Sequence, residues 1–291
     1  MIRGALWLSI GVVAFGCGLM VINLVGLAMS PRSPLLREYR EPGWTRPLLA
    51  ASEVFDQLSS LSPEQPDFIA NVHAVFTYAI AHPVPESLRA LRRDADKAKL
   101  NDSEKQAFGL TISPFDNWLL WLFDLVKEPG YYGHVFCDWR RAVHRGIGDC
   151  EQQSIAIVDF FAEHGLDTGF LMGWSHVAPM VKDRAGRWWL TDPDFGVLAQ
   201  VSPDALLEEP ARVQQVYRGV RNRGDGEPFG INPPNPPRFQ TGSAASRYPM
   251  ACPIEQLSYV LKWAIPLILI AFGAFILSCS RQPHRFREKN G

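Results

Sequence analysis

The chain has 291 residues, 47% of them hydrophobic, with 29 basic against 30 acidic side chains. This near-neutral balance, without a basic stripe or interleaved aromatics, excludes nucleic acid as an expected partner. The apolar excess lies at the two ends, so the composition conceals two lipid-compatible segments around an ordinary soluble stretch.

Residues 5–29, ALWLSIGVVAFGCGLMVINLVGLAM, run without a charge and are long enough to cross about 30 Å of hydrocarbon. They predict a first transmembrane helix; a buried core helix or a cleaved signal peptide is the alternative. Residues 30–130 follow as a helical lead-in lobe of the extramembrane domain. Within it, residues 46–60 predict a helix, as do 67–82, where Phe68, Ile69, Val72, Val75, Phe76 and Ile80 recur at helical spacing. Residues 84–106 mix charges of both signs, the pattern of a solvated helix face. Residues 114–127, PFDNWLLWLFDLVK, predict a strongly apolar helix packed under the helix that begins at Cys150, with Trp118 and Trp121 in the core. A membrane-surface or partner contact is the lesser reading of that segment.

Residues 131–200 carry the candidate chemistry. In GIGDCEQQSIAIVDFFAEHG, Asp149 is placed as an N-cap with Gln152 three residues on, the spacing of a reciprocal capping box. Cys150 is then the first helical residue, facing unpaired N–H groups and the positive end of the helix dipole, a setting expected to lower its thiol pKa. Ile155, Ile157, Val158, Phe160 and Phe161 bury this helix before Gly165 ends it. His176 heads a strand running to Lys182, the chain turns through residues 183–186, and residues 187–192 return, bringing Asp192 back beside His176. Asp194 has the same parity and is the alternative orienting carboxylate; Asp192 is preferred. Pro179 cannot donate to a ladder and predicts an edge or bulged strand. A thiol, an imidazole and a carboxylate in this order point to nucleophilic catalysis. One oxyanion donor is expected to be the Cys150 N–H, with Trp139 or Asn117 as the second. A zinc site built from His134, Cys137, His144, Cys150 and His176 is the competing reading, but the set lacks a paired Cys-x-x-Cys or His-x-x-x-His. No cofactor and no metal is expected.

The stretch from about 139 to 196 resembles the transglutaminase-like superfamily, a papain-related group of cysteine enzymes. The resemblance rests on Gly148-Asp149-Cys150 at a helix start, His176 in Trp-Ser-His, Asp192-Pro193 after Trp188-Trp189-Leu190-Thr191, and the lead-in DWRRAVHRGIG over 138–148. It departs from the family pattern in the short interval from Cys150 to His176 and in Val177-Ala178-Pro179 after the histidine. The resemblance implies an α+β fold, a helix carrying the cysteine on an antiparallel sheet carrying His176 and Asp192. It implies that Cys150 attacks an amide carbonyl, His176 shuttles the proton and Asp192 holds the imidazole. Water resolves the thioester in a peptidase or amidase, an amine in a transglutaminase.

Residues 201–256 predict an amphipathic helix over 202–222 and an extended Pro/Gly-rich linker over 224–246. Residues 257–280 predict the second transmembrane helix, with Lys262 snorkelling, Trp263 at an interface and Pro266 as a kink. The tail 281–291 holds Arg281, Arg285, Arg287 and Lys289, which predicts cytoplasmic termini and an extracytoplasmic catalytic domain; Arg32, Arg37 and Arg40 after the first helix argue the other way. In an oxidising compartment Cys137 and Cys252 would be free to pair, leaving Cys150 as the thiol of the domain. The expectation is a membrane-anchored Cys150–His176–Asp192 enzyme hydrolysing peptide or amide bonds of an envelope substrate. A membrane-protein partner is compatible with the anchoring. Cross-linking, or an inactive membrane-tethered scaffold, is the alternative.

Overall fold

The computed structural model describes residues 2–29, 32, 36, 47–82, 111–126, 135–173, 176–218 and 237–281. The charged stretch 84–106, the proline-rich residues 224–236, His134 and the basic residues of the tail beyond 281 lie outside them. The chain is α+β and divides into two compact units, one of residues 1–30, 112–130 and 254–291, the other of residues 31–111 and 131–253.

The first unit is built on two long apolar helices, α1 (Ile2–Ala28) and α10 (Ala251–Arg281). Both are long and apolar enough to cross a membrane, and both leave most of their side chains exposed. Glycines set their contact: a Cβ at Gly16 would lie 3.0 Å from the Pro266 carbonyl, and one at Gly273 would meet Val13 at 2.5 Å. Small residues let apolar helices approach closely where lipid offers no hydrophobic drive. Pro266 sits inside α10 and lacks the N–H that would pair with the Lys262 carbonyl one turn back. Asn23 of α1 donates from Nδ2 to that carbonyl at 2.6 Å, replacing the helical bond that Pro266 cannot make.

The second helix of this unit's interior, α4 (Pro114–Val126), groups with α1 and α10 rather than under the helix that carries Cys150. Its backbone is extended at Asn117 (φ −152°, ψ 97°), and Asn117 Oδ1 accepts from the N–H groups of Leu119 and Leu120, both at 3.2 Å. Asn117 is therefore the N-cap of a helix that starts at Trp118. Trp118 is buried, as expected, but against the apolar helices.

In the second unit, helices α2 (Ala51–Ser59), α3 (Phe68–Phe76) and α5 (Trp139–Arg145) precede α6 (Cys150–Glu163). Strands β1 (Asp167–Met172), β2 (Val177–Lys182), β3 (Trp188–Asp192), β4 (Val197–Gln200) and β5 (Arg238–Thr241) form one antiparallel sheet in the order β4-β3-β2-β1-β5. Both faces are covered. Phe170 and Val177 pack with Ile155 and Val158 of α6, while Leu171, Ala178, Met180 and Leu190 pack with Leu206 and Val213 of α7 (Pro203–Glu208) and α8 (Pro210–Val216). The alternation along each strand sends neighbours to opposite helical layers, so apolar runs replace a polar-out pattern.

Three expectations change. β2 is an interior strand, not an edge; its ladder to β3 stops at Met180↔Leu190, one residue short of Pro179, and Thr191 Oγ1 donates to the Pro179 carbonyl at 3.4 Å. The helix expected over 202–222 is two short helices, because Pro210 starts a new one after Glu209 leaves helical geometry. Residues 238–247 are not linker: β5 pairs with β1, and α9 (Ala244–Arg247) follows it. The Cys137–Cys252 disulfide forms across 115 residues and ties the start of α10 to the segment before α5.

Asp159 of α6 accepts from the N–H of Trp139 at 3.0 Å, and burial raises its pKa to about 6 despite that bond. The folded state thus holds this proton more tightly than the unfolded chain, so stability falls as pH rises from about 4 to about 6 and the cost is full above that. Asp159→Asn keeps an acceptor and removes the charge. It is expected to raise stability at pH 7–8 by about 1–2 kcal/mol after allowing for solvent screening. The gain should vanish below pH 4, as read from melting curves of the full chain in detergent.

The Asn23 bond makes a second prediction. Asn23→Ala should cost about 1 kcal/mol in the natural sequence. It should cost almost nothing beside Pro266→Ala, where position 266 regains its own N–H. Equal costs in both backgrounds, measured by denaturant unfolding in micelles, would remove this role for Asn23.

Candidate active site

The position of Cys150 is set before the helix begins. Ala81 donates to the Gly146 carbonyl at 3.0 Å and accepts from Gly148 N–H at 2.9 Å, a parallel bridge that pins the approach to α6. Gly146 closes α5 with φ +71°, and a Cβ at Gly148 would lie 2.4 Å from the Gln152 side chain, so the turn into the helix needs glycine there. Asp149 is the N-cap, its side chain accepting from Gln152 N–H at 2.9 Å. The reciprocal half of the expected capping box is missing. Gln152 instead accepts from Phe136 N–H and Arg145 Nη2, each at 2.7 Å, and donates to the Phe136 carbonyl at 2.9 Å. Cys150 follows as the first helical residue, half-buried.

His176 lies just before β2, its carbonyl accepting from Gly173 N–H at 2.8 Å. Its ring is buried edge-on against Phe195, with centroids 4.9 Å apart. Nε2 meets Asp192 Oδ2 at 2.6 Å, and the ring lies near enough to the Cys150 thiol for the two to be coupled electrostatically. All three sequence-predicted residues therefore meet in one site.

Asp192 is almost fully buried and has four donors. Oδ2 takes His176 and the Tyr217 hydroxyl, each at 2.6 Å; Oδ1 takes the N–H groups of Asp194 and Phe195 at 3.0 and 3.3 Å. Asp194 falls in the turn after β3 rather than on the strand, and its nearer oxygen stays 3.9 Å from His176 Nδ1. It binds His82 Nδ1 at 3.0 and 3.1 Å and takes Gln153 Nε2 at 3.3 Å. A second imidazole–carboxylate pair thus lies beside the first.

His82, Gln153 and Tyr217 were not marked by sequence. His82 reads as the end of a helical stretch and Tyr217 as one aromatic in an amphipathic helix; only the bridge at Ala81 and the packing of α8 on the sheet bring them in. The Trp139 side chain, one of the two proposed second oxyanion donors, is turned away from the site. Trp139 donates through Nε1 to Glu163 at 2.9 Å, at the opposite end of α6 from Cys150. Asn117 belongs to the unit of apolar helices. The zinc reading loses Cys137 to the disulfide, and among the described residues no cluster suited to a metal remains.

Electrostatics reverse one expectation. Burial is the largest influence on Cys150 and raises its thiol pKa; the hydrogen bond and positive charge of His176 pull it down, and Asp149 and Asp194 push it up again. Burial also disfavours charge on His176, but the carboxylate of Asp192 and the bonds to it and to Cys150 outweigh burial and hold the imidazolium well above its ordinary range. The Tyr217 hydroxyl is raised by burial and by Asp192, so it stays a donor. The helix start therefore does not by itself give a low thiol pKa.

Compared with known proteins, the chain matches no family model, no curated protein and no solved structure.

Since His176 is the named influence that lowers the thiol pKa, His176→Gln should move the alkaline limb of Cys150 alkylation upward. At pH 7 the iodoacetamide rate should fall at least about tenfold. Peptide mass analysis separates Cys150 from the exposed Cys17 and Cys279. An unchanged rate profile would show that His176 does not govern the thiol.

Proposed function

We propose that the protein is a membrane-anchored cysteine hydrolase of peptide or amide bonds, with a papain- or transglutaminase-like core. The observation that carries this reading is the line Cys150, His176, Asp192, in which each group has a distinct partner and the carboxylate is saturated by donors. In the reactive form the thiolate faces the imidazolium and attacks the substrate carbonyl carbon. The tetrahedral oxyanion falls toward the first-turn N–H groups of α6, which have no carbonyl partner within the helix. The imidazolium then protonates the leaving amine, leaving a thioester on Cys150 and a neutral His176. Water attacks the thioester as His176 takes its proton, and the acid departs. Asp192 keeps the ring oriented through both halves, and Tyr217 with the turn N–H groups keeps Asp192 in place.

Two apolar helices support membrane anchoring, and the Cys137–Cys252 disulfide supports an oxidising, extracytoplasmic location for the catalytic unit. The substrate class in this reading is a peptide or protein of the envelope. Hydrolysis is preferred to cross-linking because water needs no second binding site.

Full-length protein treated with p-nitrophenyl acetate is expected to release a burst of nitrophenol and carry one acetyl group on Cys150, detected by peptide mass. Cys150→Ala should abolish both. An amine added in excess should capture less of the acyl group than water does if the enzyme is a hydrolase. A folded protein that never acylates at Cys150 would sink the catalytic reading and favour a tethered scaffold.

A further inference from the structure

We propose that α4 is a third lipid-contacting element, a short helix lying in the membrane interface with its outer face in the acyl region. The inference rests on the reading that α1 and α10 span the bilayer. Its inner side is fixed to those helices. A Cβ at Gly26 would lie 1.7 Å from the Phe115 carbonyl, so α1 meets the start of α4 backbone to backbone. Asn117 Nδ2 donates to Ser258 Oγ of α10 at 2.9 Å, and Asp116 takes the Tyr259 hydroxyl at 2.9 Å and, through its carbonyl, the Lys262 ammonium.

The polar groups at the entry to α4 are thus met by α10, the condition that non-helical backbone must satisfy near lipid. Lys262 also lies 4.7 and 5.8 Å from the ring centres of Tyr259 and Trp263, aromatics of the kind that settle at membrane interfaces. From Trp118 to Val126 the helix is about 14 Å long, under half the hydrocarbon thickness, so it cannot cross.

The opposite side of α4 is apolar and open: Leu122, Phe123 and Leu125 are 44, 52 and 63% exposed. Three large apolar side chains within about one turn would be a liability in water. They belong to the same compact unit as the exposed apolar side chains of α1 and α10, among them Phe15 and Phe272, and α4 packs on those two helices. A bilayer that receives α1 and α10 brings lipid to this unit, which selects lipid as the occupant rather than a separate protein. The same unit then enters the bilayer region at three stretches of the chain, two crossing and one dipping.

Nitroxide labels test this in the full chain, with Cys17, Cys150 and Cys279 replaced by Ser and the disulfide retained, reconstituted in phosphatidylcholine–phosphatidylglycerol vesicles. Single cysteines at Leu122, Phe123 and Leu125 are compared with Phe15 and Phe272, and with exposed Ala185 in the β2–β3 turn. Retention of the Cys137–Cys252 disulfide and a single gel-filtration peak select folded samples. Collisions with oxygen should exceed those with a water-soluble nickel chelate at the three α4 sites, as at Phe15 and Phe272, and the order should invert at Ala185. Nickel-dominated α4 sites beside oxygen-dominated Phe15 and Phe272 would overturn the inference alone. Low collision rates with both reagents would show that protein covers the face and would likewise overturn it. Nickel access at Phe15 and Phe272 would instead overturn the spanning reading, and the inference with it.

Discussion

The buried carboxylate of Asp192 is the constraint on which the second unit, with its candidate site, turns. It ends β3, so the sheet fixes its backbone, and its two oxygens gather four donors from three places: the ring before β2, the turn after β3, and Tyr217 at the end of α8. A charge this deeply buried is tolerable only when paired and hydrogen-bonded on every side. Removing any donor leaves part of that charge uncompensated. The helical layer α7–α8 is therefore coupled to the His176–Asp192 pair through one phenol.

The thiol illustrates a conflict between two local effects. A helix N-terminus favours the thiolate, and burial opposes it; here burial, reinforced by Asp149 and Asp194, prevails over the helix end and His176 together. The proton is then governed by the pair as a unit, not by either group alone. The His82–Asp194 couple adds a further buried carboxylate near the thiol, yet its bonds to His82 and Gln153 also engage Asp194 away from His176. One acidic residue is assigned to one imidazole each, which is how two aspartates two positions apart avoid exchanging roles.

Much of the core was legible because its signals are local. The cap at Asp149, the buried stripe from Ile155 to Phe161, the turn at Gly186 and the return strand to Asp192 all follow from short-range pattern, and the structure places them where those patterns indicate. What was not legible depends on distant chain. Pro179 reads as an edge because it lacks an N–H, but the β2–β3 ladder stops before needing one. β5 comes from a Pro/Gly-rich region whose strand character exists only because β1 offers an unpaired edge. Gln152 has the right spacing for a capping box, yet a buried pairing with Phe136 and Arg145 takes it. Tyr217 and His82 carry no sequence signal at all, since nothing in their neighbourhoods refers to Cys150.

The apolar helices obey the same logic with fewer polar groups. Asn23, Lys262 and Pro266 each look like an error in a membrane segment: an amide, an ammonium and a missing donor. Each is answered by another. Pro266 leaves the Lys262 carbonyl without its helical N–H, Asn23 supplies one, and the Lys262 ammonium turns to the Asp116 carbonyl at the entry to α4. The α4 helix can begin there because Asn117 caps it while Ser258 holds the other end of the same amide. Polar residues in these helices therefore join the unit alongside the close glycine contacts of α1 and α10. A substitution chosen to make α1 or α10 more hydrophobic at Asn23 or Lys262 would weaken the assembly it was meant to strengthen.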